Sequence, residues 1–269
     1  MAENQKGKTG TGMQSPESLP DGFFKEIDVA FLVHELKDPV AVIEAGIRTL
    51  LERTESFGPL SQRQERTLKR TLANSRKARS LLNELLEVGR GEAGCFITEM
   101  FRPAEAIFAA LMEAVETFSS DLAELFTPDQ TREQIIAVLE RENIFYEVSP
   151  KAAAVELLQD RRKLQHIVGN LIKNALYHRR KRVDIQLDID LKGLTVEVRD
   201  DGPGVPASFQ NEIFQRYTQA TPCSGLARNG HGLGLAGARA LARCLGGDIL
   251  LKSGRSSGAV FKFVMPVSK

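Results

Sequence analysis

The sequence predicts an α+β protein in two parts. An antiparallel helical hairpin, pairing with a second copy into a four-helix bundle, is followed by an α/β sandwich. Three observations carry this reading. Apolar residues recur at steps of three and four from Val29 to Leu50 and again from Leu68 to Leu85. Val183 to Ile189 and Leu194 to Val198 alternate apolar and polar residues strictly, as half-buried strands do. Glycines gather at 89–94, 202–204 and 230–234, where the chain must turn or pass close to something.

Composition narrows the classes. The 269 residues are 42% apolar and 26% charged, enough to bury a core without disulfides. Basic and acidic residues balance at 36 and 35, which gives no electrostatic reason for a nucleic-acid or membrane-surface partner. The three cysteines, Cys95, Cys223 and Cys244, are odd in number and lack C-x-x-C spacing. This argues against a disulfide framework or zinc site and for a reducing compartment. No signal-peptide pattern opens the chain, and no apolar run approaches the roughly 18–20 residues that cross a bilayer. The expectation is a cytoplasmic protein without a membrane span.

The elements follow in order. Residues 1–21, rich in Gly, Ser, Thr, Pro and Lys, read as a disordered tail, and 22–92 as the hairpin. In the first helix the stripe is Val29, Val33, Leu36, Val40, Ile43, Ile47 and Leu50. Phe57-Gly58-Pro59-Leu60 breaks it, and Ser61 caps a second helix with the stripe Leu68, Leu72, Ser75, Ala78, Leu82 and Leu85. One hairpin cannot cover both stripes, which predicts a homodimer through residues 23–88. Gly89 to Gly94 reads as a hinge, and 97–269 as the second domain. Helices are expected over 103–119 and 128–142, the latter capped by Thr127-Pro128-Asp129-Gln130. Short strands are expected at Ile144–Val148 and Val155–Leu158, then a helix capped by Asp160. The alternating hairpin turns at Lys192-Gly193, a helix covers 233–245, and Ile249–Lys252 and Ala259–Val264 close the sheet.

Four segments carry chemistry. In His34-Glu35-Leu36-Lys37-Asp38-Pro39, about 100° per residue puts His34 roughly 160° from Leu36, on an exposed face. An imidazole held on a rigid helix suits a nucleophile, and Glu35 can hydrogen-bond one ring nitrogen while the other attacks. Read alone, a lone histidine on a coiled coil is a surface residue. Asn170 and Asn174 share one helix face, where two amides can hold a hard cation and a phosphate oxygen; a self-satisfied buried pair is the plainer reading. Asp200 ends a strand before Asp201-Gly202-Pro203-Gly204, where a carboxylate can accept the exocyclic amine of adenine and glycines let a flat base approach. An Asp-Gly pair also marks ordinary turns. Gly230-His231-Gly232-Leu233-Gly234 precedes a helix and can cradle phosphates. No βαβ unit surrounds it, so it is not a dinucleotide fingerprint. Between the last two segments lie Phe214, Arg216 and a polar stretch, 218–229, that reads as a lid.

In order and spacing these segments resemble the H, N, glycine, F and second glycine boxes of two-component sensor histidine kinases. Their nucleotide domain belongs to the superfamily of DNA gyrase B and MutL. The similarity runs over roughly 24–267 and includes Gly258-Ala259-Val260-Phe261 and Met265-Pro266. The resemblance implies ATP and Mg²⁺ as cofactors and His34 as acceptor of the γ-phosphoryl group, with Glu35 as its base or orienting partner. It implies that Asn174 coordinates Mg²⁺ beside Asn170, and that Asp200 binds adenine. Gly202, Gly204, Gly230, Gly232 and Gly234 would shape pocket and lid, with Phe214 anchoring the lid and Arg216 or Arg228 meeting the phosphates. The implied partners are a response-regulator receiver domain, which takes the phosphoryl group on an aspartate, and a separate sensor or input protein.

Departures stand beside the match. Tyr177 occupies a position that is often Lys or Arg, so the phosphate contact passes to His178 or to Arg179-Arg180-Lys181-Arg182, a run that otherwise reads as a solvated turn. Asp38 replaces the usual Thr or Asn, which predicts weak phosphatase action on the phosphorylated regulator. The stretch 101–160 is longer than in most relatives, with the excess near 120–140. Two other readings compete: a non-catalytic adaptor that docks regulators, and an ATPase of the gyrase type or an anti-sigma serine kinase. The intact boxes argue against the first and the His-bearing hairpin against the second.

Overall fold

The computed structural model describes residues 29–92, 96–127, 129–214, 234–254 and 258–267. The expected tail, 1–21, lies outside the described residues. Helices α1 (Val29–Glu52) and α3 (Gln62–Glu92) pack side by side as the hairpin, with a single turn, α2 (Thr54–Phe57), between them. Gly58, at φ +84°, breaks the path, as the sequence suggested. Ser61 then caps α3 reciprocally: the Gln64 N–H donates to Ser61 Oγ at 3.3 Å and the Ser61 N–H to Gln64 Oε1 at 2.9 Å. The expected hinge is partly helical, since α3 runs through Gly89 and Gly91 to Glu92.

The apolar stripe of α1 splits into two rows. Val33 and Ile47 are buried against α3, and Glu44 joins them at 3% exposure, paired with Arg79 at 2.7 Å. Leu36 and Ile43, seven residues apart, remain about half exposed (51% and 50%) and form a second row that the single hairpin leaves open. On α3, Leu72, Ser75 and Leu86 are buried while Leu85 faces out. The expected stripe placed Leu85 inward; the helix phase gives that place to Leu86.

The remainder is an α/β sandwich. A two-stranded antiparallel sheet pairs β1 (Glu99–Phe101) with β3 (Leu157–Gln159). The main sheet comprises β2 (Ile144–Val148), β4 (Val183–Asp190), β5 (Gly193–Asp200), β6 (Asp248–Ser253) and β7 (Ala259–Met265), in the order β2-β4-β5-β7-β6. Among the described strands only β2 and β4 run parallel. Alternation sends Ile185, Leu187, Val196, Val198, Phe261 and Phe263 to one face, where α4 (Pro103–Phe118), α8 (Arg161–His178) and α9 (Gly234–Cys244) share the core with them. The other face carries Asp184, Gln186, Glu197, Arg199 and Lys262.

Three local expectations shift. The T-x-x-Q pattern occurs twice, and the second instance, Thr131 with Gln134, makes the capping box, so α6 (Arg132–Arg141) starts four residues later than expected. Thr127 and Gln130 only close a turn, with the Thr127 N–H donating to Gln130 Oε1 at 3.1 Å. Two short helices, α5 (Ser120–Ala123) and α7 (Pro150–Ala154), were not foreseen. α6 lies in the stretch expected to be longer than in most relatives and packs on β2, pinned by Arg132, which donates to the Ala104 carbonyl at 3.0 Å and stacks over Phe108. Among the described residues no helix is long and apolar enough to cross a membrane.

Candidate functional site

The site is built from the ends of β5 and α8. Along β5 the buried positions are Leu194, Val196, Val198 and then Asp200, so the strand's own alternation turns Asp200 inward. Its side chain is 3% exposed. Oδ1 accepts the N–H of Gly202 at 2.8 Å and that of Ala259 at 3.3 Å. Among the described residues Oδ2 has no hydrogen-bond partner. Burial pushes the Asp200 carboxyl above its usual range, against the pull of those two N–H donors and of nearby His178. Burial likewise lowers the His178 imidazole, which the Asp200 charge partly restores.

The glycines around Asp200 are there for space. A Cβ on Gly202 would overlap the His178 carbonyl oxygen, and one on Gly204, at φ +74°, the Gly254 carbonyl oxygen. Gly258 is the tightest, at φ +74° with its missing Cβ directed into the Asp200 carbonyl oxygen. Ser253 ties this corner together: its Oγ accepts the Val205 N–H at 2.7 Å and donates to the Gly258 carbonyl at 2.9 Å.

Asp201 points the other way. Its carboxylate accepts the N–H groups of Arg180 at 2.8 Å and Lys181 at 3.0 Å, which makes the basic run the turn between α8 and β4. Arg179 donates to the Glu142 carbonyl at 3.1 Å, and Arg182 pairs with Asp184 at 2.6 Å over the Phe145 ring. The solvated-turn reading therefore describes these residues better than a phosphate site. Tyr177 is exposed and meets the His178 ring edge-on at 5.0 Å.

Asn170 and Asn174 lie on one face of α8, half-buried, and among the described residues their amides make no hydrogen bonds. Gly234, first residue of α9, sits against Asn170: a Cβ there would lie 3.1 Å from Asn170 Oδ1. Phe214 packs edge-on against Phe261 at 6.4 Å, with the Arg239 guanidinium 4.5 Å from its centre. Arg239 is itself held by Asp248 through contacts of 2.7 and 3.1 Å. Arg216, Arg228, Gly230 and Gly232 lie outside the described residues. In the hairpin, His34 is on α1 but its side chain lies outside the described part, and Glu35 and Asp38 are exposed. Leu36, the residue used to orient His34, belongs to the open row; the row against α3 runs through Val33.

Sequence reasoning missed Asp201, Ser253 and the tight approach of Gly258 to Asp200. The first was legible, because two successive carboxylates at a strand end must face opposite ways. The other two depend on which loops meet, which no local pattern reports.

Comparison with known families decides the class. The phosphoacceptor domain model of the histidine kinases, His Kinase A, matches residues 29–94. The model described as histidine kinase-, DNA gyrase B-, and HSP90-like ATPase matches 159–269. The chain belongs to the two-component sensor histidine kinases. It is 27% identical over 236 residues to the alginate biosynthesis sensor protein KinB of Pseudomonas aeruginosa, covering 87% of this histidine kinase chain and 36% of KinB. It is 27% identical over 248 residues to the adaptive-response sensory kinase SasA of Synechococcus sp. strain JA-3-3Ab, covering 91% of this chain and 60% of SasA. The chain thus spans between about a third and three fifths of the length of these relatives. Two solved structures share the fold. Full-length ShkA in complex with AMPPNP aligns with a TM-score of 0.62 at 22% identity, over 89% of this chain and 46% of ShkA. The Acinetobacter baumannii histidine kinase AdeS aligns with a TM-score of 0.53 at 17% identity, over 88% of this chain and 98% of AdeS.

Proposed function

We propose that this chain binds ATP with Mg²⁺, transfers the γ-phosphoryl group to its own His34, and passes it on to an aspartate of a separate response-regulator receiver domain. The observation that carries the reading is Asp200: a buried carboxylate at a strand end, one oxygen tied down by two N–H donors and the other unengaged among the described residues, ringed by glycines with no room for a side chain. That arrangement suits a hydrogen bond to an exocyclic amine and a flat base lying close to backbone.

The residues present fit the nucleotide and the cation. ATP supplies the phosphoryl group, and the divalent cation offsets its negative charge. Asp200 Oδ2 accepts from adenine, Gly202 and Gly204 let the base approach, and Gly234 opens the start of α9 toward Asn170. Asn174 offers a hard amide oxygen to Mg²⁺, with Asn170 beside it. Among the described residues no cluster of three or more His, Cys, Asp or Glu side chains forms a metal cage, which suits an ion held mostly by phosphate and water. Phe214 anchors the lid, Arg216 or Arg228 meets the phosphates, and Gly230 and Gly232 shape the pocket and lid. Glu35 orients the His34 imidazole or takes its proton. Catalysis here is positioning and charge neutralisation more than covalent work by the protein.

We assign 22–92 to dimerisation and phosphotransfer and 97–269 to nucleotide binding. The open row of Leu36 and Ile43 supports a homodimer through the hairpin. A separate sensor or input protein supplies the signal. The test is incubation with γ-labelled ATP, with label that is acid-labile and base-stable expected on the parent protein. His34→Gln should abolish labelling while nucleotide affinity holds; undiminished label in that variant refutes the assignment.

A further inference from the structure

Asp160 and Lys163 are almost withdrawn from water, each side chain 4% exposed, and Lys163 Nζ donates to Asp160 Oδ2 at 2.8 Å. Asp160 also caps α8, its Oδ1 accepting the Lys163 N–H at 3.0 Å. A cap needs no lysine. Burying a charged pair in the first turn costs desolvation that a serine or asparagine cap avoids. What the pair touches is the chain arriving from the hairpin. Asp160 Oδ2 also accepts the Ile97 N–H at 3.1 Å, and the Lys163 ammonium lies 4.8 Å from the centre of the Phe96 ring. Phe96 and Ile97 are the first described residues after α3, separated from Glu92 only by residues 93–95. Just beyond them β1 pairs with β3, whose last residue, Gln159, directly precedes Asp160. Burial pushes the Asp160 carboxyl up, but the Lys163 ammonium and the N–H donors outweigh it and hold the group below its usual range. The entering chain is therefore fastened by a ring, an amide and a strand to the start of the helix that carries Asn170 and Asn174.

We propose that Asp160 and Lys163 are positioning residues for phosphoryl transfer to His34: they clamp the point at which the chain from the hairpin enters the nucleotide domain, and so set the pose of that domain relative to α1. The inference rests on the kinase reading given above. Hairpin and nucleotide domain are tethered in one chain, so the geometry of their encounter, within a chain or across paired hairpins, depends on where the connection is held. With Phe96 and Ile97 clamped, three residues separate helix from anchor; with the clamp released, the anchored chain begins only at β1. Neither Asp160 nor Lys163 belongs to the proposed nucleotide pocket, so binding is left alone and the transfer rate responds.

The double substitution Asp160→Asn with Lys163→Met removes both charges together, leaves neither buried alone, and keeps a capping side chain. Phe96→Leu removes only the ring, at a site 39% exposed. Lys163→Arg retains a cation. On the full chain, three quantities are measured: affinity for a fluorescent ADP analogue, hydrogen exchange at the Ile97 amide, and initial labelling rate against ATP concentration. The double variant should keep its affinity within about twofold and exchange Ile97 faster. It should lose about tenfold or more in kcat with KM unchanged, since a misplacement of about 1 Å costs up to roughly 100-fold. Phe96→Leu should lie between it and the parent, and Lys163→Arg near the parent. An unchanged or raised kcat with the Ile97 amide released overturns the proposal. So does an affinity that falls in step with the rate, which would mean the pair only holds α8 together. A parent protein that takes no label fails the kinase reading itself; a labelled parent whose double variant labels equally fails the positioning alone.

Discussion

His166 sits in α8 with its Nε2 buried and, among the described residues, without a hydrogen-bond partner. Burial, aided by the nearby Lys173 charge and opposed by Glu113, lowers its pKa from 6.5 to about 4. The folded protein therefore holds a neutral imidazole over a range in which the unfolded chain binds a proton. Stability rises with pH wherever the unfolded state binds more protons, so this group leaves stability intact above pH 6.5 and erodes it as pH falls toward 4. At about 1.36 kcal/mol per pH unit, the loss reaches about 2 kcal/mol at pH 5 and levels off near 3 kcal/mol below pH 4. His166→Leu replaces the imidazole with an apolar side chain that cannot titrate. Urea unfolding followed by circular dichroism at pH 7.5 and pH 5 checks it, with the transition that nucleotide shifts taken as that of the α/β unit. The parent should lose about 2 kcal/mol more than the variant between the two conditions. Equal losses would show that His166 is protonated in the folded protein or reaches water, and would refute the argument.

The same geometry yields three further outcomes. Asp200→Asn keeps an acceptor for the Gly202 N–H but loses the charge, and should weaken adenine nucleotides about 10- to 100-fold in a displacement titration with a fluorescent ADP analogue. Gly258→Ala drives a methyl group toward the Asp200 carbonyl at a positive φ, and should cost about 2 kcal/mol or more of thermal stability together with nucleotide affinity. Ile43→Glu, in the open row of α1, should turn a dimer into a monomer in sedimentation equilibrium at micromolar concentration; a parent that is already monomeric there contradicts the proposed pairing.

What the sequence made legible was what repeats. The alternation of Leu194, Val196 and Val198 predicted a strand, and the same period of two, carried on to its end, is what turns Asp200 inward. Asp160 announced its helix because an acceptor is needed for the first N–H groups. Capping patterns were less decisive where two overlapped: Thr127 and Thr131 carry the same spacing to glutamine, and only packing of α6 on β2 selects the second. Periodicity locates the helical stripes but does not divide them, since it reports that a residue is apolar and not which neighbour covers it; it therefore points Leu36 and Leu85 inward, whereas both are exposed on the hairpin. The hold of Asp160 on Ile97, the Ser253 knot and the Gly258 contact join residues far apart in the chain, and their partners are visible only once the chain has folded.

The open row on α1 has a geometric consequence of its own. A seam that recurs every seven residues, as Leu36 and Ile43 do, does not run straight along a helix of 3.6 residues per turn. It slips sideways by about 20° for each repeat. If two copies pair along it, and the repeat is kept along the helix, they would coil about each other with a left hand. Their outward faces near His34 and near the Gly58 bend then look in different compass directions. A push that rotates the lower end of α1 would be felt at the bend as a change of twist, so a bundle paired in this way would be suited to carry torque along its axis.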